Sequence, residues 1–191
     1  MTAPMKRTDS LRALAAHIRN EPIVVAVGGL IDEWNEILPR DLNYYSGGMG
    51  LAQSIGLGLS IACPDRRVIV FDGDGALLMN LGGLVTSGDR APSNLLHLVF
   101  HNGTYDSSGK FRIPGEGKAS LPDLARAAGV ARVETVSDLK KWSGMIPEML
   151  SSREHTVVIL DVAAGDPVPL FVGDKVGQRH RFQDALTRAG Q

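Results

Sequence analysis

The sequence predicts an α/β fold: a doubly wound, mostly parallel sheet with helices on both faces. Short runs of β-branched and aliphatic residues alternate along the chain with segments whose apolar residues fall at helical spacing. Of the 191 residues, 43% are hydrophobic, 21% are charged and 22 are glycine, a composition typical of one globular domain with many tight turns. We therefore expect a single domain over 1–191, with its core at about 8–165 and a C-terminal tail at 166–191.

The first half of the chain alternates helix and strand. Leu11, Leu14 and Ile18 lie at helical spacing, which predicts a helix over 11–19 capped by Asp9 or Ser10. Small and apolar residues on every face of the predicted helix 51–62 indicate that it is buried all round. The other elements predicted here are strands at 23–27 and 44–45 and a short helix at 31–38.

The second half begins with two apolar runs, 67–72 and 95–100, which we interpret as strands. A helix over 76–87 is predicted between them, and the polar, glycine-rich stretch 103–120 is predicted as a long loop. Ser137 is expected to cap a helix that Pro147 kinks or interrupts. The remaining predictions are helices at 121–128, 137–150 and 181–188 and strands at 131–136 and 156–162.

Charge and cysteine content exclude several classes of function. The net charge is −1, from 20 basic and 21 acidic residues, so nothing indicates binding to nucleic acid or to an anionic membrane. No apolar run reaches the length of a membrane span, and residues 1–20 lack the apolar core of a signal peptide. A single cysteine, Cys63, excludes an internal disulfide or a multi-cysteine metal site built by this chain alone. We expect a cytoplasmic protein.

The sequence Gly73-Asp74-Gly75 and the sequence Asn102-Gly103-Thr104 each follow a predicted strand, and residues 76–101 separate them. Because the carboxyl ends of parallel strands meet at one edge of a sheet, Asp74 and Asn102 should lie close together. Their side-chain oxygens suit Mg²⁺ and a phosphorylated cofactor. Taken alone, the Gly-Asp-Gly sequence could equally be a strand-to-helix turn with a capping aspartate.

A second glycine-rich sequence spans 46–50 and contains Gly47 and Met49. It is either part of a ligand site or a turn that contributes a core methionine. Its spacing departs from the GxGxxG pattern of dinucleotide-binding domains.

Three sequences together resemble a known family. They are Ser-Gly-Gly-Met-Gly-Leu-Ala at 46–52, Phe-Asp-Gly-Asp-Gly-Ala-Leu-Leu-Met-Asn-Leu-Gly at 71–82 and Asn-Gly-Thr-Tyr-Asp-Ser-Ser-Gly at 102–109. They look like the pyrophosphate-binding domain of thiamine diphosphate (ThDP)-dependent decarboxylases, and most like that of the sulfopyruvate and phosphonopyruvate decarboxylases. The resemblance covers about residues 8–165.

This resemblance implies ThDP and Mg²⁺ as cofactors. The Gly47 carbonyl would accept a hydrogen bond from the aminopyrimidine amine, and Met49 would wedge between the two cofactor rings. Mg²⁺ would be bound by the side chains of Asp74 and Asn102 and the backbone carbonyl of Thr104. The cofactor-binding residues implied in this way are Gly47, Met49, Gly73, Asp74, Gly75, Ala76, Asn102, Thr104 and Tyr105.

Two positions depart from the family pattern, and both concern the substrate. His101 stands where many relatives have Asp or Asn; it either touches substrate or moves a proton, or is an ordinary strand-end histidine. Lys110-Phe111 replaces a polar pair, and Lys110 and Arg112 either recognise a sulfonate or phosphonate or are surface charges. Residues 105–108 either line the pocket or belong to a solvated loop.

In this family a glutamate on a pyrimidine-binding domain activates the cofactor, and in split relatives that domain is a separate chain. The resemblance therefore implies a β subunit of a 2-oxoacid decarboxylase, acting on a small 2-oxoacid with a pyrimidine-domain α subunit in an α2β2 or larger assembly. Sulfopyruvate is the favoured substrate. Phosphonopyruvate decarboxylation, an acetolactate-synthase-like carboligase and a non-enzymatic ThDP-binding module are the alternatives. A flavin- or dinucleotide-binding domain is a further one.

Overall fold

The computed structural model describes residues 5–163 and 173–188. Seven strands of this part form one sheet, in the order β1-β9-β5-β4-β2-β3, with β8 also paired to β9. Every pair in this sheet is parallel. A separate antiparallel hairpin joins β6 and β7. The strands are β1 (Met5–Lys6), β2 (Ile23–Val25), β3 (Asn43–Tyr45), β4 (Val68–Gly73), β5 (Leu95–His101), β6 (Thr104–Tyr105), β7 (Phe111–Arg112), β8 (Arg132–Val136) and β9 (Thr156–Ala163).

Helices cover both faces of the sheet, and this confirms the predicted fold class. One face packs on a core that includes Trp34, Phe71 and Trp142. The opposite face packs on smaller clusters that include Leu84 and Val70. The helices in the described part of the chain are α1 (Arg7–Ala15), α2 (Gly29–Ile37), α3 (Ala52–Ala62), α4 (Asp74–Met79), α5 (Leu81–Arg90), α6 (Leu121–Ala127), α7 (Leu139–Ser151) and α8 (Lys175–Arg188).

The first helix begins four residues earlier than predicted. Lys6 is the N-cap residue of this helix, and its side chain makes no capping hydrogen bond. The Ser10 hydroxyl lies inside α1 and donates to the carbonyl of Arg7 at 2.6 Å, so neither Asp9 nor Ser10 is the cap. The helix starts here because β1 pairs with the end of β9, with Met5 opposite Val162, and the chain turns directly into α1.

The prediction that α3 is buried on all sides is wrong. Gly56 faces the sheet so closely that a Cβ there would lie 2.1 Å from Val70 Cγ2. On the outer side Leu51, next to the helix, is 49% exposed and Ile61 is 57% exposed. Apolar composition all round the helix does not bury it, because the sheet covers only one of its sides.

The remaining differences concern boundaries. The predicted helix 76–87 is divided at Asn80, which is non-helical (φ −144°, ψ 57°) and whose amide donates to Gly50 O at 2.9 Å. The predicted loop 103–120 contains the β6–β7 hairpin. Asp138, not Ser137, caps α7 by accepting from Lys141 N at 2.8 Å, and Pro147 lies within the helix without ending it.

The last helix begins at Lys175, before the predicted position 181. Phe182 on α8 meets Tyr44 of β3 edge to face, with ring centroids 5.3 Å apart. Part of the predicted tail, at 166–172 and 189–191, lies outside the described residues. In the part of the chain that is described, no helix is long and apolar enough to cross a lipid bilayer.

Candidate active site

The two polar sequences meet at the carboxyl edge of the sheet, as predicted. Gly73, the last residue of β4, is in register with Phe100 of β5. Asp74 therefore begins α4 beside the point where the chain leaves β5 at Asn102. The proximity of an aspartate and an asparagine at this edge is a consequence of parallel pairing between β4 and β5.

Asp74 is buried at this edge, with 2% of its surface exposed. Its Oδ2 accepts from the backbone N–H of Asn102 at 2.9 Å and of Gly103 at 2.7 Å. Its Oδ1 accepts from Gly75 N at 2.7 Å. A carboxylate oxygen offers about two acceptor positions, so Oδ1 keeps one for a cation.

Burial raises the pKa of Asp74 above its ordinary value, while the backbone N–H groups of Gly103, Gly75 and Asn102 and the nearby His101 oppose the shift. A bound divalent cation would further favour the ionised form, because an opposite charge at contact distance stabilises a carboxylate. The carboxylate is thus held in place by backbone hydrogen bonds, and a bound cation would offset the effect of its burial.

The turn after β5 is held by its own side chains. Asn102 Oδ1 accepts from Thr104 N at 2.9 Å, and Asn102 Nδ2 donates to Asp106 Oδ2 at 2.8 Å. The Thr104 hydroxyl donates to Asp106 Oδ1 at 2.8 Å. The side-chain amide of Asn102 is therefore oriented with its oxygen toward the N–H of Thr104 and its nitrogen toward the carboxylate of Asp106.

A buried ion pair lies behind this turn. Arg7, the first residue of α1, is 7% exposed, and Glu33 of α2 is 1% exposed. Arg7 Nη2 and Nε donate to the two Glu33 carboxylate oxygens at 2.7 and 3.0 Å. Arg7 Nη1 also donates to Asp106 Oδ2 at 3.2 Å. Sequence reasoning missed this pair, because its members are 26 residues apart and no local pattern connects them.

Two glycines shape the floor of the site differently. A Cβ at Gly75 would lie 2.3 Å from Tyr105 Cε1, so the tyrosine ring packs directly on the glycine backbone. A Cβ at Gly73 would meet no atom within 4 Å. Gly73 therefore leaves a cradle in which a ligand can approach the main chain.

These residues surround an open cleft with about 480 Å³ of empty space, open solvent included. Eight of the predicted site residues line it: Met49, Gly73, Asp74, Gly75, Ala76, Asn102, Thr104 and Tyr105. Asp106 and Ser107, which the sequence left between pocket and solvated loop, also line it. The sequence did not single out the others: Arg7, Val27, Gly28, Gly29, Leu30 and Phe100.

The glycine-rich turn 46–50 contributes Met49 to the cleft wall. Ser46 N donates to Val25 O at 2.9 Å, and the Ser46 hydroxyl donates to Gly48 O at 2.7 Å, which fixes the turn on the end of β2. Gly47 is not part of the cleft lining, and a Cβ there would meet open space. Its role toward the cofactor stays a prediction.

His101 lies beside the cleft rather than in it. It lines a separate, smaller pocket with about 190 Å³ of empty space, open solvent included. Its Nδ1 is 3.0 Å from Asp161 Oδ1, and its Nε2 is 2.9 Å from Glu116 Oε2 and 3.9 Å from Asp74 Oδ2. The hydrogen bond to Asp161, assisted by Glu116 and Asp74 against the effect of burial, raises the pKa of His101 to about 9. A catalytic role for His101 stays a prediction.

Lys110 and Arg112 do not reach the cleft. Both are exposed on the hairpin. Arg112 donates to the carbonyl of Glu116. Their placement favours the interpretation as surface charges over anion recognition.

The residues present fit Mg²⁺ together with a diphosphate. Within the described ranges, no three His, Cys, Asp or Glu side chains are arranged to hold a metal by themselves. Asp74 Oδ1 and Asn102 Oδ1 are hard oxygen donors, and Mg²⁺ is commonly bound by one or two carboxylates plus substrate phosphates. The open cradle at Gly73 leaves room for such a phosphate beside Asp74.

Comparison with known proteins decides the family. Residues 34–162 match the thiamine pyrophosphate enzyme, C-terminal TPP binding domain. The chain belongs to the thiamine pyrophosphate enzymes. This confirms the resemblance to the pyrophosphate-binding domain of ThDP-dependent decarboxylases.

Individual relatives agree with this family. The chain is 31% identical to the sulfopyruvate decarboxylase β subunit of Methanocaldococcus jannaschii over 96% of its own length and 98% of that protein. It is 37% identical to phosphonopyruvate decarboxylase of Streptomyces viridochromogenes over 81% of its own length, but spans only 38% of that protein. The prediction of a subunit of a ThDP-dependent carboxy-lyase is therefore confirmed.

The fold agrees as well. Benzoylformate decarboxylase from Polynucleobacter necessarius superposes with a TM-score of 0.70 and 19% identity, over 87% of this chain and 35% of that one. At this identity the likeness concerns the fold alone. It confirms that the parallel sheet has the architecture of a ThDP-enzyme domain.

Proposed function

We propose that this chain is the β subunit of a ThDP- and Mg²⁺-dependent 2-oxoacid decarboxylase that works with a separate pyrimidine-domain α subunit. The observation that supports it best is the pairing of Asp74 with the Asn102–Thr104 turn at the edge of an open cleft. The near full-length match to a sulfopyruvate decarboxylase β subunit supports the division into two chains.

In this proposal each residue of the site has a distinct task. Bound ThDP supplies the electron sink for loss of carbon dioxide from a 2-oxoacid. Asp74 and Asn102 bind Mg²⁺ through side-chain oxygens, and Thr104 binds it through its carbonyl. The backbone at Gly73, Gly75 and Ala76 faces the diphosphate, and Tyr105 covers Gly75. Met49 and Gly47 position the cofactor rings.

The chemistry is completed by a second chain. A glutamate of the α subunit activates the cofactor, and the cleft of this chain forms one wall of a shared active site. We infer an α2β2 or larger assembly, because soluble oligomers usually have closed symmetry. The proposed compartment is the cytoplasm.

Sulfopyruvate is the proposed substrate, with sulfoacetaldehyde as product. Its support is the match that spans almost the whole of a sulfopyruvate decarboxylase β subunit. Phosphonopyruvate and an acetolactate-synthase-like carboligation are the alternatives that a substrate screen must separate.

Calorimetric titration of ThDP tests the proposal, first in Mg²⁺ and then in EDTA, for the chain alone and mixed with a candidate α subunit. Asp74→Ala and Asp74→Asn should abolish the metal-dependent binding, whereas Asp89→Ala, at an exposed position on α5, should leave it unchanged. Thermal unfolding of each variant shows whether it is folded. Metal-dependent binding that tightens with the α subunit, followed by turnover of a 2-oxoacid, supports the enzyme.

Two other results would overturn the proposal. Binding by the chain alone, with no turnover alongside any partner, would indicate a non-enzymatic ThDP-binding module. Binding that is unchanged in the Asp74 variants would remove the metal assignment.

A further inference from the structure

The buried ion pair behind the metal turn connects the N-terminal helix to Asn102. Arg7 donates two hydrogen bonds to Glu33, at 2.7 and 3.0 Å, and one to Asp106, at 3.2 Å. Asp106 in turn accepts from the Asn102 amide at 2.8 Å. We call these four residues the Arg7 relay. Three of its side chains come from different elements, namely α2, α1 and the turn Asp106–Ser108.

The end of the relay decides which atom of Asn102 is available to a cation. Asp106 Oδ2 accepts from Asn102 Nδ2, and Thr104 N donates to Asn102 Oδ1. If the amide were flipped, its oxygen would face the Asp106 carboxylate and its NH₂ would face the N–H of Thr104. Both contacts would then be repulsive, so this environment selects the orientation that leaves Oδ1 as an acceptor.

Asp106 in turn depends on Arg7. Its Oδ1 accepts from the Thr104 hydroxyl, and its Oδ2 is shared between Asn102 and Arg7 Nη1. In the described part of the chain, Arg7 is the cation that pairs with Asp106. Without it, a partly buried carboxylate would stand near Asp74 with no positive charge in contact, and it would turn toward solvent or toward the metal.

Arg7 itself is fixed in place. It is bidentate to Glu33, which is the strongest geometry of an arginine–carboxylate pair. A Cβ at Gly29 would lie 3.1 Å from Arg7 Nη2, so the guanidinium packs on the backbone at the start of α2. The guanidinium therefore has one position and holds Asp106 from a rigid base.

We propose that Arg7 is a positioning residue for the metal: through Asp106 it holds the Asn102 amide with its oxygen toward the cation position beside Asp74. The inference rests on the proposed function, because it assigns a task toward the Mg²⁺ of that site. Groups behind a metal ligand commonly change metal affinity 10–100-fold when they are removed.

A purely electrostatic role of Arg7 and a positioning role predict opposite changes in Mg²⁺ affinity when Arg7 is removed. Removal of a positive charge near a cation site should strengthen Mg²⁺ binding if Arg7 acts only through the local field. Loss of the relay should weaken it. Arg7→Met combined with Glu33→Gln removes one charge of each sign, so the net charge of the site is kept and Glu33 is not left as a buried, unpaired carboxylate.

The experiment measures Mn²⁺ affinity by electron paramagnetic resonance in saturating ThDP, Mg²⁺ affinity by competition, and thermal unfolding without metal. We expect Arg7→Met/Glu33→Gln and Asp106→Asn to bind Mn²⁺ at least tenfold more weakly than the unchanged chain. Arg7→Lys should recover part of the loss, because it restores the charge but not the bidentate geometry. Arg12→Met, at an exposed position on the same helix, should bind as the unchanged chain does.

The outcomes are separable. A lower unfolding temperature with unchanged Mn²⁺ affinity would overturn the inference, since the pair would then be structural only. Tighter Mn²⁺ binding by Arg7→Met/Glu33→Gln would also overturn it, since loss of the relay should weaken metal binding. If the unchanged chain, with its α subunit, binds neither ThDP nor metal, the proposed function fails and takes the inference with it.

Discussion

Gly73→Ala should raise the stability of the folded protein and at the same time reduce its affinity for ThDP. Gly73 has φ −94° and ψ 154°, an extended conformation that alanine adopts readily. A Cβ at this position meets no atom within 4 Å, and Gly73 lines the cleft. The added methyl group therefore costs the folded chain nothing but occupies space in which a diphosphate would approach the main chain.

The two effects can be estimated separately. Replacing glycine by alanine at a compatible position reduces the entropy of the unfolded chain and stabilises the fold by about 0.4–1 kcal/mol. For a chain of this size, 1 kcal/mol corresponds to about 2–4 °C, so the melting temperature should rise by about 1–4 °C. Loss of close approach should weaken ThDP at least tenfold, which is about 1.4 kcal/mol of binding free energy.

The assay is calorimetric titration of ThDP in Mg²⁺, paired with a thermal unfolding scan of the ligand-free protein. Gly58→Ala is the matched control, because a Cβ there also meets open space but lies on the exposed side of α3. The control should be more stable by up to about 1 kcal/mol from helix propensity and should bind ThDP unchanged. If Gly73→Ala bound ThDP as tightly as the control does, the diphosphate would not lie over this glycine and the reasoning would be refuted.

Three further predictions use other parts of the structure. Met49→Ala should leave ThDP bound but lower kcat with the α subunit, because the side chain lines the cleft and is proposed to position the cofactor rings; full activity in a steady-state decarboxylation assay would contradict this. Gly56→Ala should lower the urea midpoint relative to Gly58→Ala, since both gain the same helix propensity but a Cβ at 56 would overlap Val70 at 2.1 Å and cost about 1–3 kcal/mol; equal midpoints would count against the packing of α3. Burial lowers the pKa of His155 from 6.5 to about 4, so the unfolded chain takes up a proton that the folded chain does not take up between these pH values. About 3 kcal/mol of stability, fully present above pH 6.5, is therefore lost progressively as the pH falls from 6.5 to about 4. His155→Gln should flatten this part of the pH–stability curve measured by urea unfolding.

The strand ends were predictable from the sequence, and with them the centre of the site. Asp74 and Asn102 each follow an apolar run, and parallel pairing of two such runs leaves few other arrangements. Met49 also lines the cleft, and its role toward the cofactor stays a prediction. These are local patterns combined with one topological rule, which is what sequence reasoning handles best.

The Arg7 relay was not predictable, because its contacts depend on three-dimensional placement. Arg7 precedes the predicted helix, and its polar partners Glu33 and Asp106 are 26 and 99 residues away. Its position follows from the pairing of β1 with β9, and a strand of two residues has no periodicity to detect. For the same reason, the predicted start of α1 lies too late in the sequence. Asp9 and Ser10 are residue types that often cap helices, and the sequence alone does not show that the helix has already begun before them.

The outer side of α3 shows a different limit. Gly56 approaches the sheet closely, but the apolar composition of the helix could not show how many of its sides a neighbour covers. Burial is a property of the whole arrangement, and one sheet face reaches only one side of a helix. Composition alone therefore overestimated the core.

The pairing of Met5 with Val162 joins the first and the last strand of the sheet in the part of the chain that the structure describes. Arg7 follows this pairing directly, so its position depends on a contact between segments that are distant in the sequence. Contacts between such distant segments are generally made late in folding, because they require the longest loop to close. During refolding, protection of β9 amides from hydrogen exchange should therefore precede or accompany full metal affinity, and the site would become competent only in chains that have completed the sheet.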